Sequence, residues 1–404
     1  MKFIQFIRKI ASKILFPVFS TGLILLPFFF WPWYEIPYEV PRVYLFLRWV
    51  EVLTILLLLA LPHIRIRYKT PIYIWILIIA FFASAVFSSL FGVNDLKSMI
   101  GNYYRWDGLF TLAHLICLFF IAYLLSEEYH FGTYCYILAI SSIIMSIGVV
   151  SIGLFGMITS HTFSIPAIAT TFGNSKLLSG YLAVTLPTIL YGIIAHKDVR
   201  FHRYFLIGLI IQIIAIGFTH ALGGLVCISI FILGYIFVIH KKKPVIFLIL
   251  SIILLCILSV SYFQFDSRQQ MSFESRQRIF TKAIMAWSQK PIFGWGYANF
   301  DYAFESVDWP LKVNNDVYVD KAHAQLLEIL VTMGLVGLSL YCIFLGTLFY
   351  HVHKYGTLAG RTLFLIIVMC VLQSELNVTS VMIDIIFWSA SAFFLSHTLH
   401  EKDK

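Results

Sequence analysis

The chain has 404 residues, 60% hydrophobic and only 12% charged, with a mean hydropathy of +0.87. A soluble globule carries roughly 25% charged residues, so this composition excludes one and describes an integral membrane protein. The formal net charge of +9 does not point to nucleic acid, because the cations are scattered over segments between apolar runs and form no basic arm.

A helix needs about 20 apolar residues to cross the hydrocarbon core. Backbone polar groups in lipid must be satisfied within the segment, so such runs are helices. The apolar runs predict an all-α polytopic membrane protein with about twelve transmembrane helices, near 13–33, 43–62, 72–92, 109–126, 134–156, 177–195, 204–220, 223–240, 244–263, 324–349, 362–378 and 380–398. Lys2, Arg8, Lys9 and Lys13 precede the first run, but no small-residue cleavage site follows it. With Trp31-Pro32-Trp33-Tyr34 as an interfacial belt, it reads as a retained span. The boundaries at His220-Ala221-Leu222-Gly223-Gly224 and Asn377-Val378-Thr379 fit either a tight turn or a break within one re-entrant element.

One long polar stretch interrupts this pattern between spans 9 and 10. The organisation is therefore a single membrane domain, 1–404, with an inserted loop subdomain at 264–323. With the N-terminus in the cytoplasm, the inside segments collect most Lys and Arg, including Arg65, Arg67 and Lys69; Lys197, Arg200 and Arg203; and Lys241, Lys242 and Lys243. The short outside loops keep Arg42, Lys97, Arg105 and Lys176. The positive-inside rule then puts both termini in the cytoplasm and the 264–323 loop on the extracytoplasmic face. The six cysteines lie in or beside apolar runs without a CxxC pair and read as small buried hydrophobes.

Four outer patches carry candidate chemistry. Tyr103-Tyr104-Arg105-Trp106-Asp107-Gly108 is either an aromatic belt with a snorkelling arginine or an anion contact. Asn174-Ser175-Lys176 opens span 6, where exposed N–H groups attract anions and Lys176 adds a cation; ordinary capping explains Asn174 equally well. Arg276 and Arg278 offer planar guanidinium forks suited to phosphate. Beyond them Ile279, Phe280, Ala283, Ile284 and Trp287 recur at helical spacing, predicting an amphipathic helix on the membrane surface or packed on the bundle. Asp320-Lys321-Ala322-His323 enters span 10, with Glu328 five residues on. A histidine there can act as a base near neutral pH, and an ionisable group such as Glu328 within a span is a functional candidate. It is placed to orient His323 or to pair with an arginine. Arg48 and Glu51 stand three apart in span 2, a spacing that lets them pair with each other, whereas Glu375 and Asp384 have no evident local partner. The chain has no P-loop, GxSxG or HExxH motif.

Together these motifs resemble the O-antigen ligase and polymerase superfamily. Ser275-Arg276, Phe280, Pro291-Ile292-Phe293-Gly294-Trp295-Gly296 and Asn299-Phe300 are similar to its arginine–aromatic–PllGxG–F pattern. Asp320-Lys321-Ala322-His323, Glu328, Val331-Thr332, Gly334 and Gly337 are similar to its D-(K/R)-A-H-N…GllGl segment. Arg105-Trp106-Asp107-Gly108 resembles R-x-E-G, and Thr171-Phe172-Gly173-Asn174 with Gly180-Tyr181 resembles T-F-G-N…Y. The chain departs from the pattern at Ala324, where the family has Asn, and at Thr219-His220-Ala221-Leu222-Gly223, where the family's T-x-S-R arginine is missing.

The resemblance implies a metal-independent inverting glycosyltransferase of the bacterial inner membrane. It would move a preassembled glycan from undecaprenyl pyrophosphate to an acceptor hydroxyl on a lipid, protein or glycan. It implies catalytic roles for His323 and Glu328. Arg276, Arg278, Arg105 and Lys176 would bind the pyrophosphate, and Asn174, Asp107, Asp320 and Lys321 would contact substrate. No cofactor or metal is implied. A polysaccharide polymerase or protein O-oligosaccharyltransferase is the alternative within the superfamily. A transporter or flippase is less favoured, because few charges lie at mid-membrane.

Overall fold

The computed structural model describes residues 2–63, 71–126, 128–160, 167–196, 198–240, 276–308, 318–354 and 356–402. They form helices joined by turns, with no strand among the described residues. In chain order these are α1 (Lys2–Leu25), α2 (Glu39–Ala60), α3 (Ile72–Leu90), α4 (Asp95–Ile100), α5 (Leu109–Leu125), α6 (Glu128–Ser160) and α7 (Ser175–Ala195). They continue with α8 (Val199–Phe218), α9 (Leu222–His240), α10 (Arg276–Gln289), α11 (Phe300–Glu305), α12 (Gln325–Lys354), α13 (Leu358–Leu376) and α14 (Val381–Lys402). Nine stretches among the described residues are long and apolar enough to cross a membrane, accompanied by the shorter apolar helices Leu109–Leu125 and Leu222–Ile236. The expected span at 244–263 lies outside the described residues, as do Ser275 and the first residues of the expected loop subdomain.

The two doubtful boundaries are both true interruptions. Helix α8 ends in a turn at Thr219 and His220, the latter with φ 52°. Asn377 leaves α13 in an extended conformation before α14 begins. Helices α7, α13 and α14 are the most enclosed spans and form the centre of the bundle. Lipid is as apolar as the core, so helices here associate through packing and interhelical hydrogen bonds rather than a hydrophobic drive. Gln212 of α8 provides one such bond set, donating from Nε2 to the Leu182 carbonyl at 2.6 Å and to Thr185 Oγ1 at 2.9 Å.

The predicted amphipathic helix exists as α10, and it packs on α12. Ile279, Ala283 and Ala286 are buried against Trp295, Phe300, Phe304 and Val331. Ile284, expected on the same face, is exposed. The loop after α10 docks into a break in α12. At Gly334 the backbone leaves helical geometry, with φ 66° and ψ −166°, a region open essentially to glycine alone. The amides freed there are taken by the 291–296 loop. Leu335 N donates to the Pro291 carbonyl at 2.9 Å, and Val336 N to that of Ile292 at 3.3 Å. In return Trp295 N and Gly296 N, each at 3.0 Å, donate to the carbonyls of Val331 and Thr332. Gly294, with φ 73°, lies so close to Thr332 that a Cβ would strike its carbonyl. Helix α3 joins the same junction, where Ser88 Oγ donates to the Thr332 carbonyl at 2.5 Å. The proline–glycine motif is therefore a backbone seam that holds the loop after α10 to the helix behind it.

Candidate functional site

One end of the bundle gathers the N-terminal ends of α2, α5, α7, α12 and α14 and the C-terminal end of α13. Arg42 ties several of these together. Counted by sequence as an outer-loop cation, it instead sits in the first turn of α2 and is fully buried. Its Nε donates to the Leu26 carbonyl at 3.0 Å, Nη1 to Glu39 Oε2 at 3.1 Å, and Nη2 to the Phe29 and Thr171 carbonyls at 3.3 and 2.8 Å. Its guanidinium also lies 4.4 Å from the Phe172 ring centre. The other oxygen of Glu39 accepts from Val381 N at 2.6 Å, the first amide of α14. The Thr171-Phe172-Gly173-Asn174 segment is thus anchored through its carbonyl and ring. Asn174 caps α7, accepting from Lys176 N at 2.8 Å.

The Arg105 and Asp320 segments, distant in sequence, meet directly. Arg105 Nε donates to Asp320 Oδ2 at 2.7 Å. A little further along each segment, Lys321 Nζ lies 2.5 Å from Asp107 Oδ2 and 3.2 Å from Glu328 Oε1. Burial opposes the charges on Asp107, Lys321 and Glu328. For Asp107, burial alone would raise the pKa, but the Lys321 ammonium and the Asn102 amide hold it below the usual carboxylate range. Burial likewise works against the Lys321 ammonium, and the nearby carboxylates more than offset it, leaving its pKa raised. Asn102 extends this network outward, since its Nδ2 donates to Tyr318 Oη at 2.8 Å and that hydroxyl donates to Asp301 Oδ2 at 2.8 Å. Lys97 closes on the same Asp301 carboxylate.

His323 sits at the crest of the turn that enters α12, with φ 57°. Left-handed geometry is uncommon for a residue with a side chain, although histidine tolerates it better than most. The turn is held from below. Ala322 N donates to Glu328 Oε2 at 2.8 Å, and Leu326 N to Glu375 Oε1 at 2.9 Å. Glu328 is therefore engaged with Lys321 and the Ala322 amide, while Glu375, without a local partner in sequence, caps α12 from a neighbouring helix. Burial, then the positive charge of Arg276, hold the His323 pKa down at about 4, with Arg105 and Lys176 acting in the same sense and Asp320 opposing. Four residues far apart in sequence thus share one electrostatic neighbourhood. Arg276 opens α10 and is fixed there by Nη2 donating to the Leu376 carbonyl at 2.6 Å. Arg278 is two positions along, and residues so spaced do not share a helix face.

Behind the turn lies a cavity of about 80 Å³, lined by Asp107, Lys321, Gln325, Glu328 and Asp384 among others. Arg48 and Glu51 form their expected pair at 2.6 Å. Among the described residues no group of three or more His, Cys, Asp or Glu is placed to hold a metal ion. Sequence reasoning missed the Glu39–Arg42 anchor and the bonding of Glu375. The only available signal was the presence of charges beside apolar runs, which does not reveal partners 49, 129 or 342 residues away.

No curated protein matches the chain. Residues 207–342 match the family model described as O-antigen ligase, a segment that contains Arg276, the 291–296 seam, Asp320, Lys321, His323 and Glu328. The motifs at Arg105 and Asn174 converge on that segment, which is similar to the O-antigen ligase family.

Proposed function

We propose that the protein transfers a preassembled glycan from undecaprenyl pyrophosphate to an acceptor hydroxyl at the extracytoplasmic membrane surface, as an O-antigen ligase does. The observation that carries this reading is the neighbourhood of His323, a neutral imidazole among Arg276, Arg105 and Lys176. The superfamily points to a lipid-linked glycan substrate and a membrane setting, and such a donor carries its negative charge on the two phosphates.

In this reading the donor pyrophosphate sits against Arg276, Arg105 and Lys176. Arg278 contributes through the charge at the start of α10. These cations stabilise the charge that develops on the leaving phosphate oxygen. The imidazole of His323 takes the proton of the acceptor hydroxyl through its unprotonated nitrogen. The acceptor oxygen attacks the anomeric carbon from the face opposite the diphosphate. The carbon–oxygen bond to the diphosphate breaks, its electron pair stays on the phosphate, and the configuration inverts. Asp320 holds Arg105 in place, and Lys321, Asp107 and Glu328 brace the turn that presents His323. Asn174 caps α7 so that Lys176 stands at the site. The positive-inside pattern supports an inner-membrane protein with both termini in the cytoplasm.

The test is reconstitution in liposomes with an undecaprenyl-pyrophosphate glycan and separate lipid, peptide and glycan acceptors. Product analysis should show one acceptor extended by a whole glycan block with inverted linkage. A product that grows by repeated blocks on glycan alone would assign a polymerase instead. No product with any acceptor would reject the proposal.

A further inference from the structure

The cavity behind the catalytic turn is not used by this mechanism. It lies at the outer end of the bundle between α3, α5, α12, α13 and α14, with Ala298 and Thr379 at the loop side. Its volume of about 80 Å³ gives room for roughly five to eight water molecules at about 10–15 Å³ each. Two kinds of wall face each other across it. Phe81, Tyr297, Phe387 and Trp388 give aromatic surface, while Lys321, Glu328 and Asp384 give charge.

Asp384 is the telling group. Among the described residues no donor bonds to its carboxylate and no cation pairs with it in contact, although Lys321 acts on it from a distance. Lys321 uses two acceptors, and an ammonium has three N–H donors. The cavity thus offers an unmet acceptor and an unmet donor beside aromatic faces. A phosphate is disfavoured, since Asp107, Glu328 and Asp384 outnumber Lys321. A metal ion is disfavoured by the ammonium and by the lack of converging ligands among the described residues. A neutral polyhydroxylated ring satisfies both walls, because its hydroxyls donate to carboxylate and accept from ammonium while its C–H faces lie on aromatic rings.

We infer that this cavity is a sugar subsite that receives a neutral sugar of the acceptor, with Asp384 as its specificity-determining hydrogen-bond acceptor. The catalytic turn divides two environments. Its His323 and Asp320 face the cations that suit a pyrophosphate, and its Lys321 and Gln325 line the carboxylate-rich cavity that repels one. An acceptor sugar held there lies on the far side of the turn that carries His323, lined by its neighbours Lys321 and Gln325, and does not compete for the donor's phosphate site. The assignment to the acceptor rests on the proposed glycan transfer; the assignment to a sugar does not.

The test has two arms. In the first, Thr379→Cys in the purified full chain is alkylated with a maleimide, and the wild-type signal from Cys117 and Cys342, both exposed, is subtracted. Free glucose, galactose, N-acetylglucosamine and rhamnose are compared with glycerol as a non-ring control. Slower alkylation with at least one sugar, and none with glycerol, supports the subsite. Equal rates with all, or slowing by glycerol alike, overturns it.

In the second arm, Asp384→Asn and Thr379→Phe, the latter narrowing the loop side, are assayed in reconstituted transfer. Each should raise the acceptor KM by about tenfold or more, the scale of a lost hydrogen bond to a charged group. The donor KM and kcat should stay within about twofold. A shift in donor KM alone, or no shift in a protein that elutes as wild type, overturns the acceptor assignment. If wild type transfers no glycan while sugars still protect the cysteine, the transfer proposal fails and the sugar subsite stands.

Discussion

The Lys321 ammonium lies 2.5 Å from Asp107 and 3.2 Å from Glu328, joining the start of α5 to the start of α12 beneath His323. Three charges, Glu328 buried and Lys321 and Asp107 partly buried, depend on one another there. Removing the ammonium leaves two carboxylates uncompensated, and breaking a buried pair in this way costs about 3–5 kcal/mol. We expect Lys321→Met to lower the thermal midpoint of the detergent-solubilised protein strongly. Adding Asp107→Asn should recover part of the loss. A midpoint unchanged by Lys321→Met would show that the network does not hold the turn.

Arg42 supports the other side of the site. Its guanidinium satisfies carbonyls at Leu26, Phe29 and Thr171 as well as Glu39. Arg42→Met should destabilise by about 3–5 kcal/mol, because Glu39 is left buried without its partner. Protease cleavage near 170–174 should also quicken. Arg42→Lys should not rescue it, since a single ammonium cannot serve carbonyls spread around a planar fork.

At Gly334 the backbone occupies a glycine-only region, so Gly334→Ala carries strain of about 1–3 kcal/mol. The added methyl also meets the Ile292 carbonyl. Hydrogen exchange should rise at Trp295 and Gly296, whose amides bond across the seam. Unchanged protection at these two amides would contradict the seam.

The pH dependence follows from His323. Its pKa in the free protein is depressed to about 4, by burial first and then by Arg276. The imidazole is therefore neutral and competent as a base from neutral pH down to that value. We expect kcat/KM to stay level from about pH 8 to about pH 5 and to fall below, since it reports the free enzyme. With a pyrophosphate bound, its negative charge opposes Arg276, so the acid limb of kcat should lie higher. Arg276→Gln should move the limb of kcat/KM upward in its residual activity. An acid limb of kcat/KM near pH 6.5 or above in wild type would contradict the assigned environment.

Much of the membrane plan was legible because lipid leaves so few options. An apolar run of sufficient length must be a helix, and the expected spans 177–195 and 362–378 fall within about one turn of the observed Ser175–Ala195 and Leu358–Leu376. The amphipathic spacing after Arg276 likewise named α10, apart from the side on which Ile284 falls. The roles within motifs were less legible. Pro291 to Gly296 was legible only as a matched pattern with no role attached, and its conformation serves a backbone seam with α12. Glu375 looked isolated because its partner is an amide 49 positions away. Arg42 looked like a loop cation because hydropathy does not show that a charge at a helix start turns inward. Local patterns fix periodicity and capping, whereas a buried charge is explained only by its partner, and partners here come from other helices.

The central claim is that His323 is the base in glycan transfer, served by the cations around it. Its most direct test is the single-turnover rate of transfer from a reconstituted undecaprenyl-pyrophosphate donor, with wild type beside His323→Gln. General-base catalysis contributes roughly 10²–10⁴-fold. The account predicts a loss of that size, with donor binding retained and an elution profile like wild type. Transfer by His323→Gln within a few-fold of wild type would contradict it.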